Sequence, residues 1–421
     1  MKYFFYDILI FIAALLYLPF YCLRGRVHAD IWMRLGFFKK DYFKNIRTQD
    51  VVWIHAVSVG EARAAESIIR LIRRDWPQKR IVVSTVTPTG HAIVQAFLKD
   101  DEIAFYAPLD ISCVVEKFLC EIAPSLLVIM ETELWPNLIR LSHQRHVKII
   151  IVNGRISDRS YRRYNRFKSL LSSTFQRVDL FCMQNKESAQ RMVALGAPLG
   201  RVHITGNIKF DISADLKESP AFLRLKSLSQ GSLLMLAGST HENEEEILID
   251  LYKSLRKDFA SLRLVMAPRH LERLDRIQRM IRLHGLEAVR FSRIKEFSSS
   301  QVVLVDTIGD LSVLYQLCDV AFIGGSLVKT GGHNPIEPAL FGKPIVFGKH
   351  MYNFKEIRDT FLKENAAIEI DSSVALEYQL RSLLASSSKR KELGERAKGL
   401  LDRNRGAAQD TFAVLKKELK I

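Results

Sequence analysis

With 421 residues, the chain is too long for one ordinary hydrophobic core, and two domains are expected. A composition of 48% hydrophobic and 26% charged residues excludes a disordered chain, and a net charge of +16 points to anionic partners: nucleic acid, anionic lipid or phosphorylated substrates. The five cysteines (Cys22, Cys113, Cys120, Cys182, Cys318) are scattered without a C-x-x-C pair, so neither a zinc site nor a disulfide framework is indicated, and free thiols suit the cytosol.

The first element is apolar. "YFFYDILIFIAALLYLPFY" runs from Tyr3 to Tyr21 with Asp7 its only charge, and is about long enough to cross a bilayer. Arg24, Arg26, Arg34, Lys39, Lys40 and Lys44 follow it, a flank that the positive-inside rule assigns to the cytoplasm together with the rest of the chain. A cleaved signal peptide is the alternative; the long apolar run, the weakly charged amino end and the lack of an A-x-A site argue against it. The expectation is a membrane anchor over residues 1–25. Asp7 and Pro19 interrupt the run, so spanning and lying at the interface both remain open.

Short apolar runs then alternate with amphipathic helical stretches. Strands are expected at 51–57, 80–86, 126–130, 148–154, 180–184 and 202–207, where near-continuous runs such as "KIIIVNG" suit burial on both faces of a parallel sheet. The polar segment 211–232 breaks the pattern and reads as a linker. Strands resume at 233–239, 262–268, 302–307, 320–326, 344–348 and 366–370. Two such series imply an α/β chain of two doubly wound domains, 26–212 and 213–421, facing a cleft. G-x-G-x-x-G and Walker A patterns are absent, which argues against a dehydrogenase of NAD type and a P-loop NTPase.

Ligands of such sheets sit at the carboxyl ends of strands, where the polar motifs of this chain collect. Glu61 follows Ser58 by three residues in "HAVSVGE", the spacing of a capping box, and is equally placed to act as a general base. Glu131 and Glu133 in "METELWPNL" directly follow a strand, able to stabilise positive charge or to sit as solvated loop acids. Trp135, Pro136 and Asn137 read as a rigid turn into a helix. Lys209 in "TGNIKFD" can offset a phosphate leaving group or be a surface lysine. Pro268 and Arg269 end a strand, and the planar fork of arginine suits phosphate. In "GGHNPIEPALFGKP", Gly331 and Gly332 would allow close backbone approach to a ligand. Asn334 would cap a helix begun by Pro335, its first amides favouring an anion, with Glu337 able to bind ribose hydroxyls or to complete a cap.

Residues 154–169, "GRISDRSYRRYNRFKS", interleave arginines with tyrosines. Nucleic acid, anionic lipid head groups and a merely solvated helix are all compatible with that pattern, and a membrane-anchored chain favours lipid. His143 and His146 share a helical spacing but lack a third ligand, so no metal is expected.

Taken in order, "HAVSVGE", "ETELWPN", "GNIKFD", "GSTHENEEE", "MAPRHLER" and "GGHNPIEPALFGKPIVFG" resemble the bacterial Kdo transferases of glycosyltransferase family 30, over essentially the whole chain. The resemblance implies a GT-B fold and an inverting, metal-independent transfer of 3-deoxy-D-manno-octulosonic acid (Kdo) in lipopolysaccharide biosynthesis. The donor would be CMP-Kdo, with no cofactor, and the acceptor a lipid A precursor. It implies a place on the cytoplasmic face of the inner membrane, with the anionic membrane surface and no nucleic acid as partner. Carried over motif by motif, Glu61 falls on the proton acceptor, and Glu131 and Lys209 on transition-state-stabilising positions. Pro268 and Arg269, then Ile308, Gly309, Asp310 and Leu311, then Asn334, Pro335, Ile336 and Glu337 fall on CMP-binding segments. "IGDL" departs from the family's "GEL"-type loop. A related enzyme of the same fold using a UDP-sugar is the competing reading, and a non-catalytic membrane-bound binding protein is a third.

Overall fold

A computed structural model describes residues 2–23, 31–39, 41–46, 50–211, 220–229, 231–294 and 301–419. The chain forms two units, 1–211 with 404–421, and 212–403. The expected anchor boundary at 25/26 and the basic residues Arg24, Arg26 and Lys40 lie outside the described residues.

The first unit is built on a seven-stranded parallel sheet: β1 (Val51–His55), β2 (Arg80–Thr85), β3 (Ile103–Tyr106), β4 (Pro124–Met130), β5 (Lys148–Gly154), β6 (Leu180–Met183) and β7 (Val202–Ile204), in the order β3-β2-β1-β4-β5-β6-β7. Every residue of β1 is buried, as is all of β5 beyond Lys148. Strands so enclosed need helices on both faces, which explains the unbroken apolar runs. The helix Val59–Asp75 supplies one cover, burying Ala62, Ala65, Ile68, Ile69 and Ile72 at helical spacing. Chain order reverses between β1 and β4, the crevice where such sheets bind ligands.

The second unit repeats the plan: β8 (Leu234–Thr240), β9 (Arg263–Pro268), β10 (Ala288–Arg290), β11 (Val302–Leu304), β12 (Val320–Ile323), β13 (Ile345–Gly348) and β14 (Ile368–Ile370), in the order β10-β11-β9-β8-β12-β13-β14, again parallel throughout. Its reversal falls between β8 and β12. Two strands escaped the sequence reading. β3 and β10 are four and three residues long and lie at or next to sheet edges, too short and too exposed for a continuous apolar run.

The domain reading needs two corrections. Residues 213–421 do not form one unit, because the carboxy-terminal helix Ala407–Leu419 returns to the first. Asp211 fixes it there, accepting hydrogen bonds from the backbone N–H of Gly406 (2.6 Å) and Ala408 (2.5 Å), while Phe412 packs on Trp76 at 4.6 Å between ring centroids. The supposed linker is also partly structured: Pro220–Ser229 is a helix of the second unit that buries Ala221, Phe222 and Leu225. Residues 212–219 lie outside the described residues.

The apolar amino-terminal stretch is a helix, Lys2–Leu23. Among the described residues no helix is long and apolar enough to cross a membrane. One side of it exposes Phe4, Phe5, Leu9, Ile12, Leu15 and Leu16. The other side is bound to the first unit: Tyr6 donates to Asp110 (2.9 Å), Asp7 accepts from the backbone N–H of Ser112 (3.0 Å) and from Nδ2 of Asn137 (2.6 Å), and Tyr3 stacks beneath the guanidinium of Arg140. Asp7 interrupts the apolar run because it is a docking group.

Candidate active site

Glu61 lies one turn into the helix after β1. Ser58 is its N-cap, extended in backbone, with Oγ accepting from the backbone N–H of Glu61 at 3.4 Å. The carboxylate closes the box by accepting from Ser58 Oγ (2.7 Å) and from the N–H of Val57 (2.8 Å). Cap and base are therefore compatible: each oxygen uses one lone pair in the box and keeps another for a substrate proton. Only 4% of Glu61 is exposed. Burial first, then the charge of Glu131, push its pKa from 4.5 up to about 7, against the opposing pull of the Ser58 and Val57 bonds. A carboxylate so tuned is matched to proton transfer near neutral pH.

Glu131 stands on the first residue past β4, across the reversal from Glu61. Its backbone is left-handed (φ 55°), a strained state for glutamate held by its N–H bond to the carbonyl of Val152 (2.8 Å). Its carboxylate pairs with Lys209. Lys209 reaches this edge on a short turn, Ile208–Phe210, pinned by two asparagines: Asn153 Oδ1 accepts from the N–H of Ile208 and Asn207 Oδ1 from that of Lys209, both at 3.0 Å. The ammonium lies beside Gly60, where an added Cβ would stand 3.6 Å from Nζ. The three residues proposed from the sequence thus meet at one edge of one sheet.

Glu133 is pushed upward by burial, opposed by a hydrogen bond from Trp135 Nε1 (3.4 Å), raised further by Glu131 and lowered by Arg163. The Trp135 ring meets His55 edge-on at 4.7 Å. His55 ends β1 fully buried. Burial, then Arg34, drives its pKa down to about 3, so it is a neutral wedge, held through Nδ1 to Ser84 Oγ (2.8 Å). Pro136 opens the next helix at N1, as expected. Sequence reasoning assigned no role to His55, Asn153 or Asn207. Ser84 and Ile208, the partners of His55 and Asn153, lie 29 and 55 positions away, so no local spacing marks those two, whereas Asn207 caps its own turn through Lys209 two residues on.

Next to this loop a cavity of about 240 Å³ is lined by Tyr3, Tyr6, Leu134, Tyr164, Phe167 and Leu171, with Arg163 at its wall. The basic segment forms the helix Asp158–Arg166, with Tyr161 and Tyr164 half-buried and Arg159, Arg162, Arg163 and Arg166 exposed.

In the second unit the expected nucleotide segments share the carboxyl edge of the sheet. Pro268 ends β9 and Arg269 projects outward, its N–H bound to the carbonyl of Thr240 (3.0 Å). Ile308, 89% exposed, and Gly309 (φ 94°) follow β11, with Asp310 leading to the turn Leu311–Leu314. Asn334 accepts from the N–H of Ile336 (3.1 Å) and donates to Glu337 (3.5 Å). The Asn334 side chain caps the start of this helix, as expected. The anion part of the reading is corrected: the helix is only Ile336–Leu340, too short for an anion site of its own. Nor do Gly331 and Gly332 leave space for a ligand: a Cβ there would lie 2.2 Å from Asn353 Nδ2 and 2.1 Å from Met351 Sδ. Among the described residues no group of three or more His, Cys, Asp or Glu could hold a metal.

Two doubly wound units in one chain are the build of GT-B enzymes acting on nucleotide sugars. The solved structure of UDP-GlcNAc 2-epimerase from Neisseria meningitidis, bound to UDP-GlcNAc, aligns over 88% of this chain and 100% of its own at a TM-score of 0.56, with 12% identity, a likeness of fold alone. The family model described as 3-deoxy-D-manno-octulosonic-acid transferase (kdotransferase) matches residues 29–212. A 3-deoxy-D-manno-octulosonic acid transferase of Haemophilus influenzae is 36% identical over 372 residues, 88% of this chain and 87% of its own length. A bifunctional glycosyltransferase/methyltransferase of Fusobacterium nucleatum is 35% identical over 87% of this chain, which spans 57% of that protein. The chain belongs to the Kdo transferase family and is a glycosyltransferase.

Proposed function

We propose that this enzyme transfers Kdo from CMP-Kdo to a phosphorylated lipid A precursor, with inversion and without a metal, at the cytoplasmic face of the inner membrane. The observation that carries the reading is the buried Glu61 carboxyl, raised to about 7 at the reversal of the first sheet, in a chain 36% identical to a Kdo transferase. An acceptor hydroxyl is a poor nucleophile until a base takes its proton. Glu61 accepts that proton as the oxygen attacks the anomeric carbon and the bond from that carbon to the phosphate oxygen breaks. The electron pair leaves with CMP. Glu131 offsets positive charge developing on the sugar ring, and Lys209 counters the donor's carboxylate.

Nucleotide binding falls to the second unit, through Pro268, Arg269, the Ile308–Leu311 loop and Asn334 to Glu337. Acceptor binding falls to the first. Its aromatic cavity beside Arg163 suits an acyl chain next to a phosphate, and the exposed apolar side of the amino-terminal helix suits a bilayer. The test is product mass from the full chain with CMP-Kdo and a tetraacylated lipid A precursor. Gains of whole Kdo units, lost in Glu61→Gln, are expected. No gain with wild type, together with stabilisation by UMP rather than CMP, would overturn the reading in favour of a UDP-sugar enzyme.

A further inference from the structure

The turn that carries Lys209 is fastened on both flanks to the far end of the chain. Before it, Thr205 bonds through its N–H to the carbonyl of Met183 in β6 (3.0 Å), and its buried hydroxyl accepts from Oγ1 of the fully buried Thr411 (2.8 Å). Gly206, left-handed at φ 87°, comes so near the carboxy-terminal helix that a Cβ would stand 3.1 Å from Ala407 Cβ. After it, Asp211 donates its N–H to the carbonyl of Ile208 (2.9 Å), while its carboxylate accepts from the amides of Gly406 and Ala408, 195 and 197 positions on. Between the flanks, Ile208 is buried in the same apolar cluster as Ala407, Ala408, Phe412 and Leu415.

Asp211 thus caps a helix to which it does not belong. The first amides of a helix lack partners within it, and a carboxylate at that end is favoured by the helix dipole. From this cap the helix Ala407–Leu419 runs along the helix that carries Glu61. Phe412 lies on Trp76, and Lys416 pairs with Asp75 (2.7 Å), both at the last turn of the Glu61 helix. One helix therefore joins the two segments that bring Glu61 and Lys209 to the site. Lys209 projects between them, with Nζ beside Gly60 and in a pair with Glu131.

A long side chain on a short turn places its ammonium only as well as the turn itself is placed. Asn153 holds that turn from the sheet, through the N–H of Ile208. Asp211, Ala407 and Thr411 hold it from the helix. A shift of about 1 Å near the reacting atoms can cost about a hundredfold in rate, so the second support bears on the transfer and not only on folding.

We infer that Asp211, with the carboxy-terminal helix that it caps, is a positioning residue for the transfer: it sets where the Lys209 ammonium stands against Glu131. This rests on the reading of Lys209 as a group that acts in the reaction. Asp211 works through the turn. Without its carboxylate the start of the helix loses its cap and the turn loses its outer flank, so the pair of Lys209 with Glu131 loosens. The sheet beneath keeps its own core.

The test uses the full chain in detergent as wild type, Asp211→Ala, Asp211→Asn, Lys209→Met and the double variant Asp211→Ala with Lys209→Met. Brief acetylation of lysines, read by peptide mass, reports where Lys209 stands. Its rate should rise several-fold in Asp211→Ala and less in Asp211→Asn, which keeps one acceptor oxygen. Lys79, buried at the opposite edge of the same sheet and paired with Asp50, should not change, which reports that the unit is folded. With both substrates saturating, kcat should fall roughly ten- to a hundredfold in Asp211→Ala and less in Asp211→Asn, while KM for the acceptor holds. In the Lys209→Met background the same Asp211→Ala change should cost nothing further, because the group that it positions is gone. Unchanged acetylation of Lys209, a rise that Lys79 shares, an unchanged kcat, or a cost that persists in full in the Lys209→Met background overturns the inference alone. Where Lys209→Met leaves no transfer to measure, the acetylation and the kcat of the single variants decide. Wild-type kcat in Lys209→Met overturns the reading of Lys209 and the inference with it.

Discussion

Asp7, the single carboxylate in an apolar amino-terminal helix, accepts a 2.6 Å hydrogen bond from Nδ2 of Asn137, 130 positions along the chain. The same Asp7 oxygen accepts from the backbone N–H of Ser112. The helix is thus positioned against the first unit by polar groups that an unattached anchor has no use for. Asn137 lies in the first turn of the helix that follows the Glu131 loop, so helix and loop share a support.

Asp7→Ala should leave the donors of Asn137 and Ser112 without their acceptor and destabilise the first unit by roughly 1–3 kcal/mol. Denaturant titration in detergent, paired with limited proteolysis of residues 2–23, measures both consequences. An unchanged midpoint and unchanged cleavage would mean that apolar contacts alone hold the helix.

Glu61→Gln separates catalysis from capping. Glutamine still completes a capping box, so the helix should persist while transfer is lost. The raised pKa also fixes the sign of a stability effect. Its contribution is full below the unfolded value of 4.5 and is lost as pH rises through about 7, because the folded state then holds a buried charge. That loss amounts to about 3 kcal/mol. Glu61→Gln should therefore gain stability relative to wild type on going from pH 5 to pH 8. A difference that stays flat with pH would show the carboxyl to be ionised throughout.

Why the sequence revealed some of this site and not the rest has a physical basis. Glu61, Glu131 and Lys209 were legible because parallel sheets deliver their ligands at strand ends, and apolar runs locate those ends. The box of Ser58 and Glu61 was legible because it is local. The supports of Lys209 were not, since Asn153 reaches Ile208 across 55 positions. The return of the carboxy-terminal helix was hidden for the same reason: Asp211 and Gly406 are ordinary residues until the fold brings them together. The glycines misled in the opposite direction. Gly331 and Gly332 mark a close approach, but to Asn353 and Met351.

Glu131→Gln tests the coupling across the β1/β4 reversal. Its charge is the second cause, after burial, of the upward shift of Glu61. Removing it should move the acid limb of kcat against pH to lower pH, while kcat itself falls because Lys209 loses its partner and the transition state loses a carboxylate. A limb that does not move, at any level of residual activity, would mean that Glu131 and Glu61 do not sense each other.

The basic helix gives the last prediction. Arg162 and Arg163 are exposed while Tyr161 and Tyr164 tuck inward, and Arg163 reaches both the wall of the aromatic cavity and the field of Glu133. Reversing both charges, Arg162→Glu with Arg163→Glu, removes two attractions to an anionic surface, each worth about 1 kcal/mol near a membrane. Binding to vesicles containing anionic lipid should drop more than tenfold and become less sensitive to salt, and KM for the phosphorylated acceptor should rise. KM for CMP-Kdo should hold steady, since the donor is proposed to bind in the other unit. Single reversals separate the two roles, because Arg163 alone lines the cavity: Arg163→Glu should raise acceptor KM more than Arg162→Glu does, at similar cost to vesicle binding. Unchanged vesicle binding and unchanged acceptor KM in the double variant would reduce this helix to a solvated face.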